Sequence, residues 1–323
     1  MPAVFTDTQI ELAKVAADIT TDGLKHQRSA VNGIEFGNDT TKALFEGFSW
    51  LGISEECGGD GGSLVDLVVF VESLSRTIEP TQIYYHYAAL QIAQSSGMDV
   101  RTAIEKGEKW TVSFSGDLKA YVPFAKSSDK IIVVSTDESS VRVVSGGNGK
   151  SQNAIDLSLE IAEVDVSGNS SEVISISKVD IQRGKLVLAA HLVGVARGSL
   201  YSAVSYAGQR QQFGQFIGTF QGVAHPLSDA FVELEAAWSL VLYAAWDLDQ
   251  ETGDSLMASH LALAKSGAMA IDVCERALQV FGGIGVTWEA DAHLYIRRVL
   301  AVTALIGGYS TQFRQAGNCA VNA

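Results

Sequence analysis

Gly208-Gln-Arg-Gln-Gln-Phe-Gly-Gln-Phe-Ile-Gly-Thr-Phe-Gln221 lies between two long apolar runs, and the reading of the whole chain turns on it. Its order is a helix end, Arg210, the aromatic Phe213, Gly214, a turn, then Thr219 and Gln221 where the next helix starts. An arginine beside a helix N-terminus suits a pyrophosphate: the guanidinium offers a fork of donors and the free N–H groups face the anion. The same arginine could equally pair with a carboxylate at an ordinary helix–helix turn, and chemistry alone leaves both open. A second segment, Ala277-Leu-Gln-Val-Phe-Gly-Gly-Ile-Gly285, ends a helix at Gly282-Gly283. Glycine there accepts a left-handed cap without Cβ strain, and it also lets a ligand or another backbone come close.

Working outward, helical periodicity covers residues 186–207, 224–249, 255–281 and 291–304, four helices with short links that make a bundle over 181–323. Around Trp238 to Trp246 the surface is apolar on all sides, as in helices buried in a large core or a subunit interface. Upstream, 106–180 holds short β-branched runs at 110–115, 131–135, 141–144 and 173–176, separated by Ser, Gly, Asn and Asp clusters; this reads as a small β domain. Residues 1–105 read as helical, opening on a capping box from Thr6 to Gln9. The Gly58 to Gly62 break lacks the lysine of a phosphate loop and reads as a connection between helices. The expected fold class is α+β, mainly α: an N-terminal helical domain, a small middle β domain and a C-terminal four-helix bundle.

The 323 residues are 47% hydrophobic and 19% charged, with a net charge of −14. That composition is too apolar for a disordered chain. Its field repels phosphate backbones, so nucleic acid is not an expected partner and an anionic ligand needs a local site. Cys57, Cys274 and Cys319 are odd in number and widely spaced, which suits a reducing compartment and neither a metal site nor a disulfide framework. The first residues lack the lysines and apolar run of a signal peptide, and no uncharged apolar stretch reaches about 18 residues. A cytoplasmic protein without a membrane span is expected.

Taken together, the two glycine-containing segments resemble the acyl-CoA dehydrogenase family. The matching stretches are Arg210-Gln-Gln-Phe-Gly214 with Thr219-Phe-Gln221, Gln279-Val-Phe-Gly-Gly-Ile-Gly285, and Leu51-Gly-Ile-Ser-Glu-Glu-Cys-Gly-Gly59 with Ser63-Leu-Val-Asp66. The resemblance spans nearly the whole chain; it is specific in the last 140 residues or so and weak in the β domain. It implies FAD held between subunits, these segments meeting the ADP half of a neighbour's flavin. Arg210 would then face the pyrophosphate, and Phe213, Ile217 and Phe220 the adjoining surface. Gln279, Phe281, Gly282 and Gly283 would sit against the ribose-phosphate end.

The family removes a proton from Cα of an acyl-CoA thioester with a glutamate found at one of two places. The matching residues here are Gly184 and Ile306, and neither accepts a proton, so no catalytic base is expected in this chain. A positioned base is worth roughly 10²–10⁴ in rate. His191 is an ionisable stand-in on the first bundle helix, although a lone histidine on an apolar helix is more often a core residue. Asp180, expected just ahead of that helix, and Glu289 and Asp291 are the acids near these segments. The family's flavin-ring loop also looks deleted, since Val112-Ser-Phe-Ser-Gly-Asp-Leu-Lys119 runs straight into Tyr121-Val-Pro-Phe124.

Some family members acting on steroid side-chain CoA esters are α2β2 assemblies. One chain carries the glutamate and the flavin ring; a shorter one lacks the base and completes the partner's FAD site, so the assembly carries half the flavins of a homotetramer. This chain resembles the second kind, with a homologous catalytic subunit as partner and the acyl-CoA held mainly by that partner. A homomeric enzyme with an unrecognised base, and a binding protein that kept only the fold, are the alternatives.

Overall fold

The computed structural model describes residues 5–26, 39–114, 116, 118–167, 172–250 and 255–322. Helices come first, among them α1 Asp7–Ile19, α2 Asp39–Phe48, α3 Leu64–Leu74, α4 Ile83–Ser95 and α5 Val100–Lys106. The capping box that opens α1 is formed, Thr6 accepting from the Gln9 N–H while Gln9 reaches back. Ser63 and Asp66 make the same device at α3. Between them, Gly58, Gly61 and Gly62 take positive φ in the connecting loop, as the sequence suggests.

Seven strands follow: β1 Trp110–Ser113, β2 Lys119–Pro123, β3 Lys130–Val134, β4 Ser140–Ser145, β5 Lys150–Gln152, β6 Ile161–Asp165 and β7 Glu172–Ser175. They form a four-stranded sheet in the order β1-β3-β4-β7 and a three-stranded sheet in the order β2-β6-β5. Period-two alternation on β3 feeds two cores. Ile131 and Val133 pack with Ala120, Val122, Ala162 and Val164 between the sheets, while Ile132 and Val134 join the main core with the helices. Residues 115 and 117 of the apparent deletion lie outside the described residues.

The C-terminal part holds α6 Lys178–Gln209, α7 Gln221–Gln250, α8 Ser255–Phe281, α9 Ala292–Leu305 and α10 Tyr309–Asn322. The first starts eight residues before its periodic run and ahead of the expected boundary at 181, because Ser177 caps it by accepting from the Asp180 N–H. Asp180 is therefore inside the first turn, not ahead of the helix. A fifth helix, α10, packs on α8 beyond the expected four. By length and composition alone α6 could cross a membrane, yet 83% of its apolar window is buried in the fold; it is the bundle's central helix. The fold is mainly α with a small β domain.

Candidate functional site

The hairpin after α6 is built by its own backbone. Arg210 caps the helix in an extended conformation; its N–H donates to Tyr206 O at 2.9 Å and its carbonyl accepts from the Ile217 N–H at 2.8 Å. Between those bonds Gln211 pairs with Phe216 and Gln212 with Gln215 as β8 (Gln211–Gln212) and β9 (Gln215–Phe216). The two turn residues, Phe213 and Gly214, have φ of 53° and 80°. A two-residue type I′ hairpin demands positive φ at both. Glycine meets that freely. Phenylalanine does so only under strain, of order 1–3 kcal/mol.

That strained ring is not repaid inside the chain. Phe213 is 94% exposed, touching Phe220 edge-on at 6.2 Å between centroids. Ile217 is half-buried against the core, and the Thr219 hydroxyl donates to Phe216 O at 2.7 Å, closing the turn into α7. The Arg210 side chain is exposed and makes no hydrogen bond or ion pair among the described residues. The carboxylate-paired turn that chemistry left open is therefore not what the chain forms.

The second segment lies at the same end of the bundle. Phe281 stacks on Tyr206, 4.5 Å between centroids and 24° between planes, one turn before Arg210. Gln279, Gly282 and Gly283 edge a concavity of about 430 Å³. Gln279 also faces a second, equal one that holds Gly222 and Pro226 of the first two turns of α7. Gly282 is the left-handed residue, with φ of 63°, and a Cβ on Gly282 or Gly283 would meet nothing within 4 Å. Packing within the chain does not require glycine at 283. Gly285 differs, since a Cβ there would press on Phe281 and Leu278. The eight residues singled out from the sequence thus occupy two neighbouring turns at one end of the bundle, with one unpaired cation and no acidic partner for it.

The two positions that the resemblance matches to the family's base, 184 and 306, are closed in two different ways. A Cβ on Gly184 would lie 2.5 Å from the Ala88 carbonyl oxygen and 2.7 Å from Ile92 Cγ1, so α4 occupies the space a glutamate would need. Ile306 is 1% exposed, at the end of α9. His191 is fully buried, with Nδ1 2.7 Å from Ser75 Oγ and its ring 4.0 Å from that of Tyr84. Burial holds its pKa well below the usual value, with the positive charge of Arg298 adding to the effect. It is a neutral core histidine. Asp180 is tied to Ser177 at 2.6 Å, and Glu289 is exposed.

Sequence reasoning missed how the β domain is held down. Lys185, next to Gly184 and 2% exposed, donates to Glu138 in the β3–β4 turn, and its ammonium lies over the Phe114 ring. Buried Arg298 of α9 donates to Asp156 and, at 3.0 Å, to Ser158. Burial raises the Asp156 pKa, but the Arg298 charge and the hydrogen bonds that Arg298 and Ser158 donate to Asp156 outweigh it and lower the pKa. Glu138 and Lys185 are 47 residues apart and Asp156 and Arg298 are 142 apart, so no local spacing announces either pair. Among the described residues no group of His, Cys, Asp and Glu could hold a metal.

Helices, small β domain and bundle, with two exposed glycine turns at one bundle end, define a class. Residues 174–317 match the family described as acyl-CoA dehydrogenase, C-terminal domain, which places that stretch of the chain in the acyl-CoA dehydrogenase family. Acyl-CoA dehydrogenase FadE34 of Mycobacterium tuberculosis is 30% identical over 309 residues, which are 88% of this chain and 43% of that protein. This chain therefore spans less than half of that relative. Among solved structures, the Tcur3481-Tcur3483 steroid ACAD G363A variant superposes with a TM-score of 0.83 at 21% identity, covering 97% of this chain and 98% of its own. The ChsE4-ChsE5 complex from Mycobacterium tuberculosis gives 0.83 at 19% identity, with both chains fully covered. At these identities the structures speak for the fold.

Proposed function

We propose that this chain is the non-catalytic subunit of a heteromeric, FAD-dependent acyl-CoA dehydrogenase and completes the flavin site of a longer homologous subunit. The observation that carries the reading is the hairpin tip: a strained, 94% exposed Phe213 beside an unpaired Arg210. Both features are unfavourable or idle in the isolated chain and become useful when another molecule covers them. The residues suit the ADP half of FAD: one guanidinium free for a pyrophosphate, and glycines at 282 and 283 that leave open space. Bound flavin would supply acceptance of a hydride from Cβ of the acyl thioester. This chain's own part is to hold and orient, since Gly184 and Ile306 leave it without a base. The acyl-CoA is held mainly by the partner, and a steroid side-chain CoA is the favoured substrate class, given the fold shared with the steroid ACAD. We place the assembly, α2β2, in the cytoplasm, where the three free cysteines stay reduced.

The test is to express the chain alone and with candidate longer partners, measuring flavin per mole and acyl-CoA oxidation with an artificial acceptor. Activity and flavin should come only with the partner. Turnover by the isolated chain, carrying about one flavin per subunit, would refute the non-catalytic reading and favour a homomeric enzyme.

A further inference from the structure

A cavity of about 850 Å³ lies between α3, α6 and the far half of α7. It is not part of the hairpin site: Trp246 is 25 residues beyond Gln221 on α7, about 37 Å along the helix axis. Trp238, Leu242 and Trp246, at four-residue steps, form one wall, and Val65 of α3 contributes to the lining. Arg76 and Arg197 stand at the polar end. The volume is that of a site for a drug-sized molecule.

The polar end is made of charges brought together by close packing. Gly194 and Gly198 let α6 lie directly against the carbonyl oxygens of Glu72 and Arg76, where a Cβ would clash. Glu72, 2% exposed, accepts from Arg76 Nη2 at 2.6 Å and from Arg197, itself 7% exposed. Arg197 also donates to Glu235 of α7. Glu72 and Arg197 are the buried half of the network, while Arg76 and Glu235 are 36% and 41% exposed and open to the cavity; charges held in this way at a cleft are characteristic of a site. Two guanidiniums against two carboxylates leave this end neutral, so a further carboxylate would add net negative charge. A neutral acceptor adds none, and Arg76 Nη1 has no hydrogen-bond partner among the described residues.

We propose that this cavity binds an uncharged, planar, apolar molecule carrying one carbonyl or hydroxyl, its body against Trp238, Leu242 and Trp246 and its oxygen on Arg76. The proposal stands whether or not the hairpin binds a flavin. The uncharged naphthyl ketone Prodan has that chemistry and reports on its surroundings by the colour of its emission. Titrated into the full chain, it should bind saturably at one site, shift its emission to the blue and quench tryptophan fluorescence by energy transfer. Ser239→Trp places an indole at the exposed edge of the cavity and should weaken binding by about tenfold or more; Arg76→Met should do so by about tenfold through loss of one charge-assisted hydrogen bond. Val232→Glu, in the separate apolar groove between α6 and α7 near the hairpin, should leave binding unchanged. Absence of saturable binding, indifference to Ser239→Trp, or loss of binding in Val232→Glu would each overturn the assignment.

Discussion

Replacing Arg210 by alanine separates a binding role from a structural one, because the side chain touches nothing the fold needs. Its guanidinium has no partner among the described residues, and the backbone bonds that shape the hairpin run through its N–H and carbonyl, which alanine keeps. An exposed substitution of this kind changes stability by no more than about 0.5 kcal/mol. Against a pyrophosphate the same guanidinium supplies a charge-assisted hydrogen bond of about 1.5–3 kcal/mol. Its loss should weaken flavin binding roughly ten- to a hundredfold. The assay is flavin absorbance per assembled complex after desalting, read beside the melting temperature of the chain alone. Arg210→Lys should recover only part of the occupancy, since an ammonium keeps the charge without the planar fork. Full flavin in the alanine variant, or a fall in melting temperature in step with the flavin, would remove the assignment.

Three further outcomes follow from the same geometry. Gly283→Val should lower flavin content while leaving the melting temperature of the chain nearly unchanged, because a Cβ there meets open space; a lower melting temperature with full flavin would make Gly283 a cap alone. Phe213→Gly relieves a positive φ and should stabilise the isolated chain by up to about 1 kcal/mol while weakening its association with the partner, which analytical ultracentrifugation would read; unchanged association would show that the ring is not covered. Burial pushes the His86 pKa down to about 3 and that of His191 well below its usual value. Both are neutral when folded, and the unfolded chain gains their protons below about pH 6.5. Stability that is full above that pH should therefore fall as the pH drops towards 3, by up to about 1.4 kcal/mol per unit and per histidine. Melting curves at about pH 7 and about pH 5 should show His86→Gln, which retains an acceptor for the Trp110 N–H, losing less than the parent chain.

Local chemistry was legible in the sequence where a few neighbouring residues decide the outcome. The Thr6–Gln9 capping box, the glycine loop before α3 and the left-handed Gly282 after α8 each follow from one or two side chains and one backbone requirement. The start of α6 is equally local, yet the β-branched run before it masked the Ser177 cap. β2 does not stand out among the β-branched runs, because Lys119 and Pro123 at its ends blunt the strand pattern. α10 has few apolar residues and no caps that announce it; it exists because α8 offers it a face. In the candidate site, spacing gave the arginine and the glycines. It could not reveal that Phe213 adopts positive φ or that Arg210 lacks a partner, because those depend on the hairpin register and on which acids the fold brings near.

Under the proposed function, the chain differs from a catalytic subunit by more than the side chains at 184 and 306. At 184, glycine permits the backbone of α4 to approach α6, so the position has become part of a helix–helix contact. Introducing a glutamate would have to separate those helices before it could place a carboxylate. At 306, a buried isoleucine holds its place in the core at the end of α9, and a carboxylate there would be desolvated and favour its protonated form. Lys185 and Arg298, which flank this region from α6 and α9, are already committed to Glu138 and Asp156 of the β domain. Each of these contacts ties the β domain to a bundle helix. The hairpin and the Gly282 turn bear none of that packing and stay open to solvent. The chain thus pairs close packing at 184 and 306 with an exposed, partly strained rim at the hairpin, and the proposed role, completing a neighbour's site, needs both.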